Sequence, residues 1–195
     1  LKSFDGYNNH KEWKEKGDDI QHRGWGKDYD DIGSCIHDIF AVYQPEQNQQ
    51  NKEAAIRIIG GYGLTSKLID YVEGIIGSAD WLYEQLRRKF PQKDNDTVKR
   101  EYPFQLTLDN GQTLRGEMDL LWFYTDENGK QHCVLVDYKS YQGVSLHNYT
   151  QEKLPQLSAY ASALKTNNID VTHALIYYPV HGLVHELLNS TSSPA

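Results

Sequence analysis

Two strand-like runs, Gln112–Tyr124 and Gln131–Tyr138, flank the tetrapeptide Asp126-Glu127-Asn128-Gly129, and this arrangement constrains the chain more than any other feature. Asn and Gly tolerate positive φ, so the tetrapeptide is a turn signal, and the two runs should pair as a hairpin. Side chains at i and i+2 of a strand share a face. Glu117 and Asp119 are therefore on one face of the first strand. In the second strand Asp137 and Lys139 share a face, and Val134, Val136 and Tyr138 take the other. If the register permits, Asp119 and Asp137 converge at one end of the hairpin with Lys139 beside them.

Two carboxylates on adjacent strands suit a hard divalent cation, which prefers oxygen ligands and commonly shares its shell with water and phosphate. A neighbouring lysine can orient or deprotonate water, or stabilise charge that develops on a phosphate. Each residue also has an ordinary reading. Asp119 could cap a strand end, and Lys139 could form a simple ion pair with Asp137. The joint pattern is less ordinary than its parts.

Two further spacings flank the hairpin. Upstream, Gly33-Ser34-Cys35-Ile36-His37 lies in a stretch where Ile32, Ile36, Phe40 and Tyr43 form an apolar stripe at near-helical spacing. Downstream, Gln156 and Tyr160 lie one helical turn apart and project from one face. With the acid on one strand and Asp-Tyr-Lys on the next, this order resembles the RecB-type branch of the PD-(D/E)XK nuclease superfamily. The resemblance runs from about Gly33 to Tyr178.

The resemblance implies that His37, Asp119 and Asp137 are side-chain metal ligands, that the Tyr138 carbonyl joins them, and that Lys139 is the catalytic lysine. Asp119 and Asp137 thereby count as catalytic too. Gln156 and Tyr160 would support the site or touch DNA, and Glu101 would stand behind the ligands as a lesser acid. Glu117, at a position often neutral or basic in relatives, has no assigned role, and Asp-Tyr-Lys-Ser-Tyr-Gln-Gly departs from the more usual Asp-Tyr-Lys-Thr-Gly. The implied cofactor is Mg2+ or Mn2+, with the imidazole of His37 favouring manganese. Relatives that carry an iron-sulfur cluster use four cysteines, whereas this chain has 2, so no such cluster is expected.

The expected fold is mixed α/β: a restriction-endonuclease-like αβββαβ core, its central mixed sheet flanked by helices, with N-terminal helical additions. Strands are predicted near Arg100–Leu108, Gln112–Tyr124, Gln131–Tyr138, His173–Pro179 and Leu183–Leu187. A helix is predicted near Glu152–Lys165, with Pro155 in its first turn and Leu157, Ala161 and Leu164 facing the sheet. Asp30 or Asp31 could cap the His37 helix, and Gln44–Asn51 reads as a loop. Lys52–Ile59 and Leu64–Phe90 carry helical spacing, the second interrupted near Gly74 and Gly77.

With 195 residues, 38% of them hydrophobic, the chain reads as a single nuclease domain, 1–195. Within it, 1–31 is an irregular or helical arm, 32–90 a helical region, 100–188 the catalytic sheet core and 189–195 a tail or linker. The chain starts at Leu1, and its one methionine is Met118, so it reads as a domain excised from a longer protein. No apolar run approaches the roughly 20 residues that span a bilayer, so no membrane partner is expected. Two cysteines too few for a disulfide scaffold point to a reducing compartment, and the resemblance implies a bacterial, cytoplasmic, nucleoid-associated protein.

The formal charge of −7 is unusual for a DNA enzyme, so any phosphate-binding charge must be local. Arg87-Arg88-Lys89, Lys93, Lys99-Arg100 and Lys165 are the candidates, against the reading that they are solvated surface. The resemblance implies an exonuclease or end-processing enzyme of DNA repair and recombination, acting on DNA that is single-stranded or has free ends. Its partners would be helicase/ATPase domains of the parent protein, since no Walker-type loop occurs here. The alternatives are a catalytically silent DNA-binding domain and a restriction or junction-resolving endonuclease.

Overall fold

The computed structural model describes residues 11–14, 29–107, 110–140 and 145–187. A six-stranded mixed sheet runs β1 (Lys11–Lys14), β6 (Leu183–Leu187), β5 (Val171–Tyr178), β4 (Gln131–Tyr138), β3 (Thr113–Thr125), β2 (Val98–Thr107) from edge to edge. Only β4 and β5 are parallel, and the crossover between them is α5 (Leu146–Thr166). This is the αβββαβ core with its central mixed sheet flanked by helices.

Helices α1 (Tyr29–Val42), α2 (Asn48–Gly61), the short α3 (Thr65–Leu68) and α4 (Val72–Lys89) make a layer on one face. Their stripes, with Ile32, Ile36, Phe40, Leu68, Ile75 and Leu82, pack on Leu120, Trp122, Val134, Val136, Leu175 and Tyr177. Leu157, Tyr160, Ala163 and Leu164 of α5 cover the opposite face, against Met118, Leu121, Leu135, Ala174 and Ile176. Both faces of β4 and β5 are thus buried, which is why they read as continuous apolar runs. Each such Val, Leu or Ile contributes about 1.5–3 kcal/mol by leaving water.

The Asp126–Gly129 turn forms as its residues dictate. Gly129 adopts φ 80°, and the Asp126 carboxylate accepts the backbone N–H groups of Asn128 and Lys130. His132 Nε2 adds a 2.9 Å contact to the same carboxylate.

Several boundaries differ from the sequence expectation. Helix α5 starts at Leu146, so Pro155 lies in its interior and not in its first turn. The cost is limited because Gln151, whose carbonyl loses its partner, is exposed like Pro155 itself. Helix α4 runs unbroken through Gly74 and Gly77; the interruption falls earlier, in a 3-10 turn at Ile69–Tyr71. Asn48–Asn51 belongs to α2 rather than to a loop. Asp30 and Asp31 stand within the first turn of α1, where their charge suits the helix dipole.

Of the N-terminal arm, 11–14 is a strand, not a helix. It pairs antiparallel with β6, and Trp13 is buried and donates from Nε1 to Glu186 Oε2 at 3.1 Å. The rest of the arm before Tyr29 and the 189–195 tail lie outside the described residues.

Candidate metal centre

The β3–β4 ladder pairs Leu120 with Val136, and one further rung sets Asp119 opposite Asp137. The β2–β3 ladder pairs Arg100 with Leu120 and Tyr102 with Met118, so the rung between them sets Glu101 opposite Asp119. Glu101, Asp119 and Asp137 therefore form one row across three adjacent strands. The row sits where the sheet changes face. Leu120 and Trp122 pack under the α1–α4 layer, whereas Met118, two residues before, packs under α5. On β2, Arg100 donates to Tyr83 of α4, yet Tyr102 and Phe104 join the α5 side. Glu101 takes φ 45°, a left-handed conformation uncommon for a side-chain-bearing residue, and marks the point of exchange.

Helix α1 brings the fourth group. His37 Nε2 lies 3.0 Å from Asp119 Oδ1, and its Nδ1 lies 3.7 Å from Glu101 Oε1. The helix comes this close because Gly33 has no side chain: a Cβ there would stand 2.4 Å from Ser140 Oγ, just beyond Lys139. Asp119 also ties the hairpin together, since its Oδ2 accepts the backbone N–H of Tyr138 at 2.5 Å. The Tyr138 ring is buried against Phe40, with centroids 5.1 Å apart.

The electrostatics follow from crowding. The hydrogen bond to Asp119 pushes the His37 pKa up, against the opposing effect of burial. Burial, then the neighbouring Asp119 charge, raises Asp137 from 3.8 to about 6. Lys139 Nζ answers this at 2.7 Å from Asp137 Oδ2. Burial works against the lysine's charge, but Asp137 more than offsets it and the net direction is upward.

His37, Glu101 and Asp119 each offer a ligand atom, all within 4.8 Å of one another. Glu101 Oε1 and Asp137 Oδ1 are buried without a hydrogen-bond donor. An imidazole beside carboxylate oxygens that lack donors fits a hard or borderline divalent cation. The tightest trio contains Glu101 where the sequence pointed to Asp137, whose carboxylate stands outside the cluster and is engaged by Lys139.

On α5, Gln156 Nε2 donates to the Tyr160 hydroxyl, and the Tyr160 ring meets Phe104 edge-on at 4.9 Å. The Phe104 ring lies over Gly116, where any Cβ would come within 2.8 Å of it. Burial raises the Tyr160 pKa, and Asp137 and Asp119 act in the same direction. Glu117, paired across the ladder with Pro103, is exposed and belongs to no cluster that could hold a metal among the described residues.

A cleft of about 850 Å³ opens over His37, Tyr138 and Lys139, walled by Asp30, Asp38, Tyr62, Ser140 and Tyr149. None of the basic residues singled out in the sequence lines it. Arg87 faces Glu46 at 3.5 Å, Lys89 covers the Trp13 ring, Lys93 donates to the Asp126 carbonyl and Arg100 is held by Tyr83. Lys99 lies over Tyr102, and Lys165 ends α5. Sequence reasoning missed the cleft's rim pair, Tyr62 and Asp38, because contacts 24 positions apart leave no periodic signal.

No described helix is long and apolar enough to cross a membrane. A family model described as PD-(D/E)XK nuclease superfamily matches residues 18–188. No curated protein matches the chain.

Proposed function

Because the chain belongs to the PD-(D/E)XK nuclease superfamily, we propose that it is a divalent-metal-dependent DNA nuclease of the RecB-type branch, hydrolysing phosphodiesters at the row of acids beside His37. The observation that carries this reading is the convergence of His37, Glu101 and Asp119 within 4.8 Å, next to the Asp137–Lys139 pair. A cation held by His37, Asp119, Asp137 and the Tyr138 carbonyl, with Glu101 as a further ligand, would supply Lewis acidity toward phosphate and water. Mg2+ and Mn2+ both suit carboxylates, and the imidazole favours manganese.

The chain's own groups divide the remaining work. Lys139 is held charged by Asp137, so it acts by stabilising negative charge on the phosphate and fixing the attacking water, not by taking its proton. Asp137, raised by burial and by the Asp119 charge, is paired with Lys139 and would give its other oxygen to the cation. Tyr160, held by Gln156, supports Lys139 from α5. The residues form one nuclease domain of a longer helicase-nuclease in DNA repair and recombination, in the bacterial cytoplasm at the nucleoid. Helicase/ATPase domains of the parent deliver single-stranded or free-ended DNA for exonucleolytic processing. The Gly33-to-His37 helix, seated beside the acids as that branch requires, favours this reading over a restriction or junction-resolving enzyme, and the complete ligand set argues against a silent domain.

Incubation of linear single- and double-stranded DNA with the protein and its Asp137→Ala and Lys139→Ala forms tests the reading. Metal-dependent cleavage by the parent alone is expected. Equal cleavage by all three forms, or none by any, would overturn it.

A further inference from the structure

A nucleic-acid cleft usually holds its substrate through lysines and arginines that neutralise phosphates. This one does not. Lys139 is the one lysine or arginine among the described residues that line it, and that charge is taken by Asp137 at 2.7 Å. Asp30 and Asp38 on the wall, and the acids behind His37, add charge of the wrong sign for a phosphate chain. Even one divalent cation in the site would leave little net attraction along the walls.

The walls carry aromatic rings instead. Tyr62, the C-cap residue of α2, contributes to one side, and Tyr149, in the first turns of α5, to another. Neither ring is fully buried, although Tyr62 rests on the core beneath it. The Tyr62 hydroxyl donates to Asp38 Oδ2 at 2.8 Å, which fixes the ring's direction at the cleft mouth. That bond also gives Asp38 a reason to sit in this cleft: it orients a ring. Lys153 stands 4.7 Å from the Tyr149 ring centroid and helps to set that side chain. A volume of about 850 Å³ lies within the usual range for pockets that enclose a small ligand, about 300–1,000 Å³, so the cleft suits a short stretch of one strand.

We propose that this cleft binds single-stranded DNA chiefly by stacking its bases on Tyr62 and Tyr149, with Asp38 as the positioning residue that holds Tyr62. The inference rests on the nuclease reading and names the form of substrate that site accepts. Base stacking on an aromatic ring tolerates any sequence, so the cleft needs no base-specific contact. A strand held this way is gripped by its bases, and its phosphates gain little from walls that carry Asp30 and Asp38. Its affinity should depend weakly on salt, because few counterions are released.

Fluorescence anisotropy with a labelled oligothymidylate and with a duplex of equal length, in calcium to suppress hydrolysis, tests this. Cleavage of both in manganese is followed in parallel. Tyr62→Leu keeps much of the packing volume but no ring, and Tyr62→Phe keeps the ring without the bond to Asp38; melting curves check that both fold. The expected result is single-strand affinity weakened about 5- to 100-fold by Tyr62→Leu and by a smaller, measurable factor by Tyr62→Phe, which keeps the ring but not its tie to Asp38, with a shallow dependence on salt. Unchanged affinity in Tyr62→Leu, tighter binding of the duplex, or a steep salt slope would overturn the proposal, even with cleavage intact. Ring-dependent binding with no cleavage by any form would support the stacking cleft and overturn the nuclease reading.

Discussion

Asp119 accepts the backbone N–H of Tyr138, so the same carboxylate that faces His37 also fastens β3 to β4 beside Asp137. Structure and chemistry meet in one side chain, and two substitutions separate them. Asp119→Asn keeps an acceptor for Tyr138, whereas Asp119→Ala leaves a buried donor unpaired. Both should lose cleavage by on the order of 10²-fold or more. Urea unfolding should show only Asp119→Ala destabilised, by about 1–3 kcal/mol.

Asp137 is strained electrostatically in the metal-free protein, and the sign is definite. Its folded pKa is raised from 3.8 to about 6, so between those values the folded state holds a proton that the unfolded chain has released. Stability therefore falls as pH rises through that window, and the penalty is fully present above it. Asp137→Asn should raise the melting temperature near pH 7.5 by about 3–8 °C without metal. The gain should vanish near pH 4. Manganese should stabilise the parent protein more than the variant, and differential scanning calorimetry at both pH values reads each effect.

A methyl group at Gly33 would come 2.4 Å from Ser140 Oγ, so it fits only if the serine turns away. Gly33→Ala should cost about 1–3 kcal/mol by overpacking and reduce cleavage by lifting His37 from Asp119. Adding Ser140→Ala removes the clashing oxygen and should recover most of the stability. Failure of the double variant to recover in thermal denaturation would place the cause elsewhere.

Glu101 combines a left-handed backbone with a carboxylate near His37, so replacements should divide by residue type. Glu101→Gly relieves the backbone and Glu101→Ala does not, a difference of about 1 kcal/mol in favour of glycine. Both should weaken manganese binding in titration calorimetry, since both remove the same oxygen.

The strands of the core were legible because their signals are local. Apolar runs beside turn residues matched Gln131–Tyr138 and Leu183–Leu187 to their observed bounds. Helix α5 was read too short because its first two turns, from Leu146 to Gln151, are polar, and because Pro155 looked like a helix start. The short strand around Trp13 was missed because its pairing partner is far along the chain. Within the candidate site, motif order pointed to His37, Asp119 and Lys139, which the fold brings near one another. It did not show the weight of Glu101, because its approach to His37 depends on one positive φ that glutamate does not advertise. The cleft's acidic walls were equally invisible, since a formal charge of −7 says nothing about where the acids gather.

The Trp13–Glu186 contact joins residues 173 positions apart. Closing such a span carries a large loop entropy and is repaid only after the intervening strands exist. The acid row, by contrast, comes from two consecutive hairpins whose partners are near neighbours in the chain. The reactive part of the sheet can therefore assemble early and from its own segment, and the β1–β6 edge closes last. Hydrogen exchange should show that edge opening well before the hairpins do.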